Sequence, residues 1–273
     1  MGAQRGSQRG VRLLMARLPL KVKVGMGFVA AIAALLVFRA FELHELDYLF
    51  IAAEAVHTVG IVVLIYKLTK RKNCTGLSLK SQELTALFLA IRIYCSFVLE
   101  YDIHTILDTL TLITTCWVIY TIRFKLRGTY MKEMDNFSNF FVIIPCAILS
   151  FFIHPITRHW IQNRVLWAFC IYLETVSMLP QLRMMQSNKV VEPFTGKYVF
   201  ALGIARYLSC AHWILQVVET CGRYLFRTGR GLWPGMILFS EFVQTSILAD
   251  FCYYYIKSMV AGETVLRLPS GVV

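Results

Sequence analysis

IYLETVSMLPQL, residues 171–182, is the stretch on which the reading of this chain turns. It carries a carboxylate, Glu174, and a Pro180-Gln181 pair inside a run otherwise hydrophobic enough to cross a membrane. An ionised carboxylate in hydrocarbon costs at least about 2.5–3.5 kcal/mol, so Glu174 needs a partner, a proton or a water-filled cavity. A proline at membrane depth frees a backbone carbonyl, and a helix broken there lines a cavity or packs against a neighbour. The segment therefore predicts the wall of a polar site inside a membrane bundle.

The rest of the chain fits that setting. Of its 273 residues 57% are hydrophobic and only 16% charged, and the mean hydropathy is +0.59. A soluble domain would carry roughly a quarter charged residues. Eight apolar runs follow one another, at 24–41, 47–66, 83–99, 104–122, 139–153, 165–182, 198–218 and 236–256. Most approach the roughly 20 residues that a helix needs to span the hydrocarbon core; the first and 139–153 are short. The first follows a basic, acid-free segment (Arg5, Arg9, Arg12, Arg17, Lys21, Lys23) without a small-residue cleavage site, so a retained signal-anchor helix is expected. The net charge of +12 does not predict a nucleic-acid partner, because the basic residues fall in short loops between apolar runs. Lys67, Lys70, Arg71, Lys72 and Lys80 follow the second run, Arg123, Lys125, Arg127 and Lys132 the fourth, and Arg183, Lys189 and Lys197 the sixth. The opposite loops are poorer in Lys and Arg, so the positive-inside rule puts both termini in the cytosol. Eight cysteines show no CxxC spacing or disulfide framework, and packing is their expected role.

Polar breaks also recur. Lys80-Ser81-Gln82 opens the third run and Leu179-Pro180-Gln181-Leu182 closes the sixth on the same side. Polar breaks at matching depth mark internally repeated bundles with a site between the halves. The wording around them is more specific. NCTGLSLKSQEL (residues 73–84), IYLETVSMLPQL and KYVFALGIARYLSCAHWI (residues 197–214) resemble the KDEL-receptor family, the receptors that retain soluble proteins in the endoplasmic reticulum lumen. The resemblance runs from about residue 46 to 269, and the additional N-terminal tail is similar to that of longer plant-type relatives. It implies an all-α integral membrane protein, a seven-helix PQ-loop bundle similar to SWEET transporters, with two three-helix repeats and a linking helix. Residues 1–45 would form a basic cytosolic tail and an extra helix, 46–257 the bundle, and 258–273 a short cytosolic tail.

Arg92 in LFLAIRIYCSF lies too deep for snorkelling to explain, and Arg206 in ALGIARYL is placed similarly in the seventh run. Two buried guanidiniums facing one cavity make a carboxylate trap, since each offers a fixed fork of donors. The resemblance independently implies that both hold the C-terminal carboxylate of a retrieval peptide. Glu174 and Asp250 (in SILADFCYYY) are the acidic counterparts, either plain neutralisers of the arginines or, as the resemblance implies, parts of a conformational lock. His57 falls at the family's pH-sensing histidine, and imidazole titrates near the pH difference between Golgi and endoplasmic reticulum. Trp167 and Trp213 match tryptophans lining the peptide site, while Gln82 and Gln181 are expected to pack helices rather than touch ligand.

Several positions depart from the family pattern. Phe50 stands for an arginine, Ile93 for a tyrosine, Cys95 for an aspartate, Ala205 for the tyrosine paired with the YLE glutamate, and Gln216 for an arginine. Arg164 replaces the glutamate that meets the peptide's lysine, which would favour an acidic residue there. The carboxylate-binding core is retained while contacts to the upstream peptide side chains are replaced, which predicts weak binding of a standard Lys-Asp-Glu-Leu or His-Asp-Glu-Leu tail. The implied partners are C-terminal peptides of soluble endoplasmic-reticulum proteins, the bilayer, and COPI and COPII coat proteins. The lysine-rich tail used for coat-mediated retrieval is thin, with Gly262-Glu263-Thr264 in its place. A PQ-loop transporter of a small anionic solute is the competing class. No cofactor, metal set, nucleophile motif or phosphate loop is recognisable, so an enzyme is not expected.

Overall fold

The computed structural model describes residues 47–99, 103–188, 190–261 and 266–267, so the run at 24–41 and its expected extra helix lie outside the described residues. Seven principal helices make up most of the described chain: α1 (Asp47–Tyr66), α2 (Leu79–Leu99), α3 (Ile103–Tyr120), α4 (Phe140–Phe152), α5 (Ile161–Val176), α7 (Pro193–Glu219) and α9 (Trp233–Val260). Two shorter ones, α6 (Leu179–Ser187) and α8 (Arg223–Thr228), and a two-residue antiparallel pair, β1 (Val190–Val191) with β2 (Leu266–Arg267), complete them. The pair was not expected. It brings part of the C-terminal tail back onto the loop before α7, and α9 continues past the boundary at 257 read from sequence.

Five helices among the described residues are long and apolar enough to cross a membrane: α1 and α3, each continued by a π-helical turn to Arg71 and Lys125, the α5–α6 unit, α7 and α9. The α2 helix has 21 residues but carries Lys80, Glu83 and Arg92. The α4 helix has 13 residues, an axial length of about 20 Å, and holds Pro145 inside it. Phe97, Ile113, Phe140, Phe152, Phe239 and Phe242 stand among many exposed large apolar side chains. On helices of this composition such a surface faces lipid.

Contacts run α1 to α7, α2 to α3 and α5, α4 to α5, and α9 to both α5 and α7. Small residues set the closest approaches: a Cβ on Gly60 of α1 would lie 3.1 Å from the Ala201 Cβ of α7, and one on Gly203 of α7 would collide with Cys252 Sγ of α9. Without a hydrophobic drive between helices in lipid, such close backbone packing supplies the contact energy.

The end of the bundle that carries the basic loops is tied by polar contacts. Asp135 accepts from Ser78 Oγ at 2.7 Å, from Leu79 N at 2.8 Å and from Tyr130 Oη at 2.7 Å, thereby capping α2. Burial and this bond push the Tyr130 phenol up. Gln181, fully buried, accepts from Ser78 N and donates to Gly76 O, both at 2.8 Å, so it staples α6 to the turn before α2. That turn needs Gly76, whose φ of +77° is left-handed. Lys67, only 1% exposed, pairs with Glu192 at 2.9 Å and also donates to Thr195 Oγ1 and Thr75 O. Burial raises the Glu192 carboxyl, but the Lys67 charge and the bonds from Lys67 and Thr195 outweigh it and hold that carboxyl below the usual range.

The α5–α6 break comes at Ser177–Met178, three residues before the Pro-Gln pair is complete, with Pro180 in the first turn of α6. A proline is tolerated there because its missing N–H would be unpaired anyway. Ser177 reaches back to the Glu174 carbonyl through both its N–H and its hydroxyl. The break therefore closes directly below the carboxylate that makes the site.

Candidate functional site: an intramembrane arginine–carboxylate network

On α2, Ser81, Leu84, Phe88, Leu89 and Cys95 form a buried stripe at helical spacing, and Arg92 falls on it. Glu174 lies one turn after buried Cys170 on α5, and Arg206 one turn after buried Leu202 on α7. Each is about 20 Å along its helix from the first residue, α2 and α7 starting at the basic end and α5 at the other. The three charges therefore meet deep in the bundle.

Their geometry is a chain of charge-assisted bonds. Arg92 Nη1 donates to Glu174 Oε2 at 2.7 Å, and Arg206 Nη2 donates to Glu174 Oε1 at 2.8 Å. Glu174 is thus held between two guanidiniums, 13% exposed. The other edge of Arg92 is occupied by Asp108 of α3, with Nε donating to Oδ2 at 2.8 Å and Nη2 to Oδ1 at 2.5 Å. Gln244 of α9, its amide oriented by the hydrogen-bond network, accepts from Arg206 Nε at 2.9 Å. Glu241, one turn earlier, feels Arg206, Glu174 and Arg92, and its buried Oε2 has no hydrogen-bond partner among the described residues. Phe88 packs under Arg92, ring centroid 5.3 Å from Cζ.

Arg92, Arg206 and Glu174 are thus brought together. The replacement of tyrosine by Ala205 does not leave Glu174 without partners, because both of its oxygens are paired with arginines. Asp250 stands apart from the network, exposed on α9, with Tyr207 as its neighbouring titratable group. The acid that shares Arg92 with Glu174 is Asp108 instead. Asp108, Glu241 and Gln244 are not singled out by the sequence reading, although Asp108 carries the same signal as Glu174, a carboxylate within an apolar run. Its nearness to Glu100 and Asp102 makes it look like part of an acidic loop.

His57 lies on α1 beside a small cavity of mixed lining, with Gln82, Thr111, Thr115 and Tyr198 alongside the apolar Ile61 and Leu64. Its Nδ1 is 3.9 Å from Glu54 Oε2, an ion pair when the ring is protonated. Gln82 donates to Tyr198 Oη at 3.3 Å. Trp167 and Trp213 pack at the edge of the core formed by α2, α4, α5 and α9. Arg164 Nε donates to Pro155 O at 2.5 Å, and Gln216 is half-buried on α7 with its carbonyl accepting from Thr220. The eight cysteines are all free, and no group of His, Cys, Asp or Glu suited to a metal is present among the described residues.

This arrangement can hold a carboxylate between two arginines deep in a membrane bundle. The family model described as ER lumen protein retaining receptor matches residues 73–216, which contain the entire Arg92–Glu174–Arg206 chain. The chain belongs to the ER lumen protein-retaining receptor family. Curated members similar to it include the ER lumen protein-retaining receptor of Entamoeba histolytica, 33% identical over 78% of this chain and 94% of its own length. Receptor erd-2.2 of Caenorhabditis elegans is 34% identical over 80% of this chain and 97% of its own, and receptor B of Arabidopsis thaliana is 34% identical over 81% and 98%.

Proposed function

We propose that this chain is a multi-pass receptor of endoplasmic reticulum and Golgi membranes. It binds the C-terminal carboxylate of soluble endoplasmic-reticulum proteins through Arg92 and Arg206 and returns them from the Golgi. The observation that supports this reading is Glu174 held by both arginines, since two guanidiniums so placed accommodate a carboxylate between them. Ligand entry shifts an equilibrium between two bundle arrangements, with Glu174 exchanging partners as the lock, and Trp167, Trp213, Arg164 and Gln216 lining the path. Protonation of His57 strengthens binding in the acidic compartment. The helices form two PQ-loop triplets, α1–α3 and α5, α7 and α9, joined by α4. Residues 46–257 are the receptor bundle, 1–45 a cytosolic tail with an additional span, and coat proteins engage the cytosolic face.

The test is binding of free-acid C-terminal tetrapeptides to the purified full chain at about pH 5.5 and 7.2, either side of the imidazole midpoint. Acid-enhanced binding that Arg92→Ala or Arg206→Ala abolishes is expected. Absence of binding for every peptide, with flux of a small anion in liposomes, would establish the transporter reading instead. That second reading draws on the small cavity between His57, Gln82 and the α3 threonines.

A further inference from the structure

The side-on edges of both guanidiniums are met from other helices, that of Arg206 by the single neutral amide oxygen of Gln244 and that of Arg92 by both oxygens of a carboxylate, Asp108. Arginine carries five N–H donors. Asp108 takes the Nε and Nη2 pair bidentately, and Glu174 takes Nη1. The two-oxygen contact on the Nε/Nη2 edge is the arrangement that arginine offers to any planar carboxylate, including that of a peptide C-terminus. Asp108 is anchored on α3, held near Arg92 by the α2–α3 packing and 15% exposed. A carboxylate fixed in this way acts at high effective concentration without any second molecule.

The charge count points the same way. Two guanidiniums, Arg92 and Arg206, are already paired with two carboxylates, Asp108 and Glu174. An incoming carboxylate adds a third to two arginines whose charges are already matched, and gains a fork only by displacing the group that occupies it.

We propose that Asp108 is a built-in competitor for the ligand carboxylate: it fills the Arg92 fork in the empty receptor and must swing away for a peptide C-terminus to bind. The inference rests on the receptor reading above and assigns it a specificity-setting residue. Only a ligand that recovers more contact energy than the Asp108–Arg92 pair gives up displaces it, so apparent affinity falls by the fraction of receptors in which the fork is open. Glu174 serves differently, since it bridges both arginines and takes only Nη1 of Arg92.

The experiment compares the full chain with Asp108→Asn and with Glu241→Gln, which changes another carboxyl beside the same arginines but leaves the fork filled. The probes are the tightest-binding free-acid tetrapeptide and its C-terminal amide. Asp108→Asn is expected to tighten the free acid about 10-fold or more, Glu241→Gln less than about 3-fold, and the amide is expected to show no gain. Adding Arg92→Ala to Asp108→Asn is expected to erase the gain. Equal gains from both single variants, or none from Asp108→Asn, overturns the proposal while leaving the receptor reading intact if the wild type binds. Absence of binding in wild type and variants overturns both. A variant-free measurement stands beside these: labelling of wild-type Asp108 by a hydrophobic carbodiimide, read by mass spectrometry, is expected to rise when the free-acid peptide saturates the receptor. Unchanged labelling overturns the exchange.

Discussion

Glu174 satisfies two guanidiniums at once, so removing its charge leaves each of them short by one partner. Arg92 retains Asp108 and Arg206 retains the Gln244 amide, but the site then carries an uncompensated positive charge deep in the bundle. Breaking a buried pair from one side costs about 3–5 kcal/mol. Glu174→Gln, which keeps the shape, is therefore expected to lower the thermal midpoint of the detergent-purified protein markedly and to leave the helical circular-dichroism signal unchanged. An unchanged midpoint would mean that Asp108 and Glu241 neutralise both arginines without it. At this scale the sequence was legible where a charge stood inside an apolar run: Arg92, Arg206 and Glu174 stand out for that reason, and the family resemblance points to the same three. Asp108 was not, because it lies close to the loop and its depth depends on how α3 packs against α2. Asp250 shows the converse. It has the same intramembrane setting in the chain, yet its position on α9 points it away from the network.

At the level of elements, α7 packs against both α1 and α9, and small residues make those close crossings possible. Gly203 faces Cys252 of α9 so closely that a methyl group has no room. Overpacking of this kind costs about 1–3 kcal/mol, so Gly203→Ala is expected to lower the midpoint and Gly203→Ala with Cys252→Ala to recover most of the loss. Failure of the second change to rescue would place the strain elsewhere in the crossing. The helices themselves were legible because apolar runs of near-spanning length have few other fates in a membrane. Their ends were less so. The run 165–182 is two helices, because the break is set by Ser177 capping back onto Glu174 rather than by Pro180, which only begins the next helix. The π-helical ends of α1 and α3, the α8 turn and the β1–β2 pair leave no comparable mark in hydropathy.

Across the whole molecule, one end of the bundle is tied by Lys67–Glu192, Asp135 and Gln181, while the arginine network lies deeper. Glu192 has its carboxyl held below the unfolded value, so its contribution to stability is complete above the ordinary carboxylate range near pH 4.3 and is lost as pH falls through the lower folded value. The wild type is therefore expected to melt above Glu192→Gln at neutral pH, with the gap closing only in strong acid, as followed by thermal melts across pH. A gap that persists at the acidic extreme would show that packing, not charge, links α1 to α7. The chain by itself determined that this is a multi-span membrane protein, which family it belongs to, and that Arg92, Arg206 and Glu174 need one another, because hydrocarbon admits few charges and only in company. Which acid answers which arginine was decided only by the tertiary structure. Pairing depends on helix rotation and on the close approach of α2, α3, α5 and α7. It was that packing which set Asp108 on the Arg92 fork and left Asp250 outside.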